Sequence, residues 1–233
     1  MMNTVITMNT MNIDGGILKL MQALDSLFPI GAFTLSNGME TYTQKEIVTD
    51  GASLSAFLDA YLYTLPYNDG GFAAKAALGE DHRILDKLCA ASKSPYELRN
   101  GSSKLCTRFI KAEQALGNYS GLKKYAEDIS AGVCGGYHCI AVGIFMRDIG
   151  IDMNEGLCMY FYSLLSSLVN HAVKLVPLRQ LDGQKSLSEA MEKIPDAVRK
   201  AIAVEIDDLG ISGGGFDLRS MQHEKLYSRI YIS

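Results

Sequence analysis

The chain has 233 residues, with 22 lysines and arginines against 26 aspartates and glutamates, for a formal charge of −4. So mildly acidic a balance lacks the concentrated basic face that nucleic acid demands, which excludes that class of partner. A chain this long buries roughly 70% of its unfolded surface, enough for one large core without staples. Its five scattered cysteines, an odd number, read as reduced thiols in a cytoplasmic protein.

The opening MMNTVITMNTMNIDGG lacks the basic and apolar regions of a signal peptide, so residues 1–13 read as a loose tail. An all-α domain is expected over 14–211, with a glycine linker and a partner-docking segment over 212–233. Within ALDSLFPIGAFTLSNGMETY, a good helix breaks at Phe28-Pro29-Ile30-Gly31 and restarts at Ser36-Asn37-Gly38-Met39-Glu40. Loops run over the surface and are polar, because irregular backbone is hard to satisfy once buried. Leu27, Phe28, Ile30, Phe33 and Leu35 nonetheless fill this break. Either the rest of the chain covers them or another protein does.

Helical periodicity dominates the remainder of the chain. Leu54, Phe57, Leu58, Tyr61, Leu62 and Leu65 recur at steps of three and four, with Thr49 or Asp50 to cap the start and Pro66 to stop the run. A second helix over 102–116 sets Leu105, Cys106, Phe109, Ala112 and Leu116 opposite Lys104, Arg108 and Lys111, a basic stripe read as a solvated face. His82, behind Glu80 and Asp81, is expected on the surface. The uncharged run GLCMYFYSLLSSLVNHAV tempts a membrane reading. Ser163, Ser166, Ser167, Asn170 and His171 interrupt it, so it is expected as a buried helix over about 154–176. Ser186 and Glu189 suggest a capping box, and Pro195 a kink or split. Alternation of period two occurs only in the terminal RIYIS. The expected fold is therefore all-α, a single-domain bundle of roughly nine or ten helices, with eleven methionines and no tryptophan giving a soft core.

Most catalytic signatures are missing from the sequence. There is no G-x-x-x-x-G-K-[ST] phosphate loop, no H-E-x-x-H zinc helix and no G-x-S-x-G elbow. Cys134, His138 and Cys139 form the one metal-like cluster, Cys134 and His138 being spaced for one helical face. The plainer reading is buried cysteines beside a backbone-bonded histidine. Lys174, one turn before Pro177, reads as a cation at a helix C-terminus or as a charge presented at an interface. Tyr227, Arg229, Ile230 and Tyr231 make the tail too apolar to wave in water, so it is expected to dock on its own body or on a partner.

The stretch LMQALDSLFPIGAFTLSNGMETY resembles the N-terminal signature of the urease accessory protein UreF family, through Asp25, Phe28, Pro29, Ile30, Gly31, Phe33, Thr34, Ser36, Gly38, Met39 and Glu40. VKLVPLRQ and HEKLYSRIYIS are similar to two further segments of that family, while Leu35, Arg179, Gln222 and Ile232 depart from its common residues. The resemblance implies an all-α, dimeric and non-enzymatic cytoplasmic factor. Such a factor binds UreD/UreH and, through it, the GTPase UreG, and the complex docks on apo-urease to install nickel. It implies no firmly bound cofactor: nickel passes transiently, and GTP belongs to the partner. The residues it points to for partner binding are Phe28, Pro29, Gly31, Ser36, Gly38, Glu40, Lys174, Pro177, Gln180, His223, Glu224, Tyr227, Ser228 and Arg229. Two rival readings stay open. One is a small helical enzyme using His138 as half of an acid–base pair. The other is a nickel-binding chaperone, which would want a histidine-rich tract where the chain has only four histidines.

Overall fold

The computed structural model describes residues 15–211 and 213–232; the expected tail over 1–13 lies outside them. Among the described residues there are twelve α-helices and no strand. Along the first half of the chain run α1 (Gly15–Leu24), α2 (Met39–Gln44), α3 (Gly51–Thr64), α4 (Asp69–Leu78), α5 (His82–Ser92) and α6 (Tyr96–Leu116). The second half adds α7 (Ser120–Ser130), α8 (His138–Ile149), α9 (Met153–Leu175), α10 (Gln180–Met191), α11 (Ile194–Ala203) and α12 (Gly214–His223). The all-α expectation holds, with a few more helices than the nine or ten anticipated. The surplus comes from short pieces: α2 has six residues, and Pro195 lies in the first turn of α11, so the 180–203 stretch divides in two.

The core is built round α8, which is buried without interruption from Cys139 to Met146. It packs on α4, itself buried from Gly70 to Ala76, where Ala73, Ala74 and Ala76 allow the two backbones to approach closely. The helices α6 and α7 cover α8 on another side, and α9 packs against α4, α10 and α11. Phe72, Phe109, Phe145, Tyr160 and Phe161 are sealed between them. Each such side chain contributes about 1.5–3 kcal/mol by leaving water.

Local signals behave unevenly. Asp50 is the cap of α3, in a reciprocal pair with Ser53: each side chain accepts the other's backbone amide. The capping box expected at Ser186 and Glu189 is not formed, because α10 begins six residues earlier and Ser186 sits in its interior. The Ser186 hydroxyl instead donates to the Gly51 carbonyl at 3.2 Å, and Ser55 donates to Glu189 at 2.9 Å, tying α10 to α3. Among the described residues, the period-two end RIYIS joins no ladder. His82 is not on the surface either: it opens α5 at 8% exposure, edge-on to the Tyr125 ring.

Candidate functional site

The broken helix of the signature splits its apolar residues between two fates. Phe28, Ile30 and Leu35 turn inward, the Phe28 ring lying 6.0 Å from that of Phe109, while Leu27 and Phe33 stay 89% and 62% exposed. The chain's own body therefore covers only part of this loop. Lys104, Arg108 and Lys111 are exposed, as expected, and the Arg108 guanidinium also reaches across from α6 to donate to the Ile30 carbonyl at 3.0 Å.

The restart of the helix depends on Gly38. It caps α2 at φ 81°, and a Cβ there would lie 2.7 Å from the Ser220 hydroxyl of α12. Left-handed backbone and close approach both call for glycine. Gly31 adopts φ 78° beneath the Arg108 guanidinium. Because α12 can come this near, Glu40 in the first turn of α2 meets the C-terminal segment.

There a clasp of four polar side chains forms. His223 lies between two carboxylates, with Nε2 3.0 Å from Glu40 Oε2 and Nδ1 2.6 Å from Glu97 Oε2. Arg229 donates to the other Glu97 oxygen at 2.7 Å. The Glu40 carboxylate also accepts the backbone amides of Ile230 at 2.8 Å and Tyr231 at 3.1 Å. Glu40 and His223 are 1% and 0% exposed. Burial works against the Glu40 anion, but the Ile230 amide, His223 and the Tyr231 amide outweigh it and hold the carboxyl below its ordinary value. A carboxylate sealed from water is tolerated only when its oxygens are occupied in this way.

The end of α9, just before the VKLVPLRQ stretch, joins the same place. His171 near the end of α9 bonds the Phe33 carbonyl at 3.3 Å, and the Tyr231 ring stands edge-on to it with centroids 4.6 Å apart. Ile232 donates to the Thr34 carbonyl at 2.9 Å, and Gln44 to the Ser228 carbonyl at 2.9 Å. The signature loop, the end of α9 and the tail thus form one surface, although they lie up to about two hundred positions apart in sequence.

The fourteen residues singled out from the sequence differ in burial. Phe28, Ser36, Gly38, Glu40 and His223 are buried within the chain, so in this arrangement they shape the surface from beneath and touch nothing outside it. Pro29, Lys174, Pro177, Gln180, Glu224, Tyr227, Ser228 and Arg229 are exposed, and Gly31 is half-buried. Glu97 and His171 complete the arrangement but were not singled out. Glu97 carries only the weak signal of an acid in a first turn after Pro95.

The metal candidates do not converge. Among the described residues the ligand atoms that come together belong to His82, Asp128 and Cys134, and neither His138 nor Cys139 joins them. Cys139 faces Cys89 at 3.9 Å. His138 lines a cavity of about 130 Å³ beside the Lys93–Asp69 ion pair, which closes at 2.6 Å. Its Nε2 is buried without a partner, and burial pushes its pKa down to about 4.

Comparison with known proteins covers nearly the whole chain. The UreF family model matches residues 48–191. A urease accessory protein UreF of Actinobacillus pleuropneumoniae serotype 5b (strain L20) is 35% identical over 226 residues, covering 94% of this chain and all of the relative. Another from Arthrobacter sp. (strain FB24) is 32% identical over 217 residues, 93% of this chain and 96% of the relative. A third, from Haemophilus influenzae (strain PittEE), is 31% identical over 221 residues, 92% and 94% of the two chains. With such similarity along nearly its whole length, the chain belongs to the UreF family of urease accessory proteins.

Proposed function

We propose that this chain is a non-catalytic assembly factor of urease maturation, which binds UreD/UreH through the surface over its clasp and couples the GTPase UreG to nickel insertion into apo-urease. In this reading it holds no cofactor of its own. GTP belongs to UreG, nickel is cargo of the complex, and two copies of the chain pair within it.

The observation that carries the reading is the contrast between what the clasp buries and what it leaves out. Glu40, Glu97, His223 and Arg229 pin the tail and the signature loop together, yet Phe33, Tyr227, Ile230 and Ile232 remain 62%, 106%, 74% and 60% exposed on the pinned segments. Large apolar side chains held outward on an ordered scaffold are what a partner interface uses as anchors. Lys174 is exposed one turn along α9 from His171, and we assign it to the part of the surface facing UreG.

Co-purification with UreD/UreH tests this. Replacing both Tyr227 and Ile230 by alanine removes exposed anchors without touching the clasp side chains. The double variant keeps its melting midpoint and loses the complex. Undiminished co-purification would overturn the assignment of this surface.

A further inference from the structure

Away from the clasp, α5 and α7 meet at a second cluster for which partner binding has no use. His82 is the first residue of α5, and Asp128 lies in the last turn of α7. The chain then turns back, with the amides of Val133 and Cys134 donating to the Asp128 carbonyl at 2.9 and 3.2 Å. That turn carries the Cys134 thiol over the Asp128 side chain. Nε2 or Nδ1 of His82, a carboxylate oxygen of Asp128 and Sγ of Cys134 all lie within 4.8 Å of one another. The three residues are 8%, 7% and 7% exposed, just beneath the surface.

We propose that His82, Asp128 and Cys134 form a binding site for one divalent transition metal ion of borderline softness, such as zinc, cobalt or nickel, with a fourth position open to water. This goes beyond the assembly role, which does not depend on it. A thiolate, an imidazole and a carboxylate together favour these ions over magnesium or calcium, which take oxygen ligands. Three protein ligands and an open position are the pattern of an accessible metal site. Asp86 accepts the Gly135 and Gly136 amides and the Tyr125 hydroxyl, which fixes the turn carrying Cys134.

Arg83 occupies the cation's place. Its Nε and Nη2 donate to the two Asp128 oxygens at 2.8 and 2.7 Å, but its side chain is 49% exposed and can withdraw to solvent. The His82–Asp128 contact of 2.6 Å must open to roughly 3.3 Å to admit an ion with bonds near 2 Å, a shift below about 1 Å. On binding, the hydrated ion sheds water, the Cys134 S–H bond is replaced by a sulfur–metal bond, and the thiol proton passes to solvent. No oxidation state changes.

The test uses the full chain, reduced and stripped with chelator, titrated anaerobically with cobalt(II) and followed by its near-ultraviolet thiolate-to-cobalt absorption. Equilibrium dialysis gives the stoichiometry. One ion binds per chain, and zinc displaces the cobalt signal. Cys134→Ser abolishes the thiolate band, and His82→Asn weakens binding by roughly tenfold or more. Arg83→Gln replaces no ligand residue but removes the guanidinium that competes for both Asp128 oxygens, so it tightens binding roughly tenfold. If the cluster only ties α5 to α7, Arg83→Gln gives no gain in affinity. Absence of the band in the wild-type chain, a band that survives Cys134→Ser, or unchanged or weaker binding in Arg83→Gln would overturn the proposal. None of these readouts involves urease, so a failure here is separate from a failure of the assembly role.

Discussion

Glu40→Gln is the sharpest perturbation of the clasp, because it keeps the side chain's shape and removes its charge. The carboxylate accepts the Ile230 amide, the Tyr231 amide and His223 Nε2. Glutamine offers one acceptor oxygen in place of two and turns an NH2 toward a group that itself donates. One charge-assisted bond, about 1.5–3 kcal/mol, is lost outright, and the others fall toward the 0.5–1.5 kcal/mol of neutral pairs. A cost of about 3 kcal/mol, roughly 150-fold in the opening equilibrium, falls on the tail and not on the α4–α8 core. Hydrogen exchange read by mass spectrometry separates the two. A peptide spanning residues 225–232 exchanges faster by about that factor, while one from α8 keeps its protection. Equal acceleration of both, or no change in the tail peptide, would refute the claim that Glu40 fastens the tail.

The same geometry sets three further outcomes. Gly38→Ala forces left-handed backbone on an alanine whose Cβ meets the Ser220 hydroxyl at 2.7 Å, so denaturant unfolding shows a loss of about 1–3 kcal/mol; an unchanged midpoint would contradict the required close approach. Burial holds His171 and His138 neutral, with pKa values of about 4, below the ordinary 6.5. The folded chain therefore binds fewer protons than the unfolded one between those values, and stability falls as pH drops from about 6.5 toward 4. The depressed Glu40 carboxyl adds its loss only below its ordinary value of 4.5. Denaturant midpoints that stay flat from pH 7 to 5 would contradict this burial. Lys174→Ala leaves stability unchanged and impairs coupling to UreG; wild-type GTPase coupling and urease activation would remove Lys174 from that surface.

Much of the architecture was legible in the spacing of apolar side chains. The periodicity of 154–176 matches α9 within a residue at either end, and Pro66 and Pro195 fall where helices end or begin. Long amphipathic helices reveal themselves in this way because the core selects one face. Ser186 misled because a serine three residues before a glutamate looks the same whether it caps a helix or bonds a neighbouring one. His82 misled because its acidic neighbours describe the chain on one side, while its burial comes from α7, more than forty positions away. The clasp was half legible. Glu40 and His223 stand out within their own segments, but nothing local says that they face each other, or that Glu97 meets the other side of the imidazole. The exposure of Tyr227 beside the burial of Tyr231 is likewise a matter of where the tail lands, not of residue type.

Nickel content of urease purified from cells co-expressing the enzyme with its other accessory proteins tests the central claim most directly, with this chain present, absent or carrying the Tyr227→Ala and Ile230→Ala changes. The assembly role predicts nickel-loaded urease only with the intact chain, and nickel-poor urease when the chain is missing or has lost its exposed anchors. Fully loaded urease in the chain's absence would contradict it.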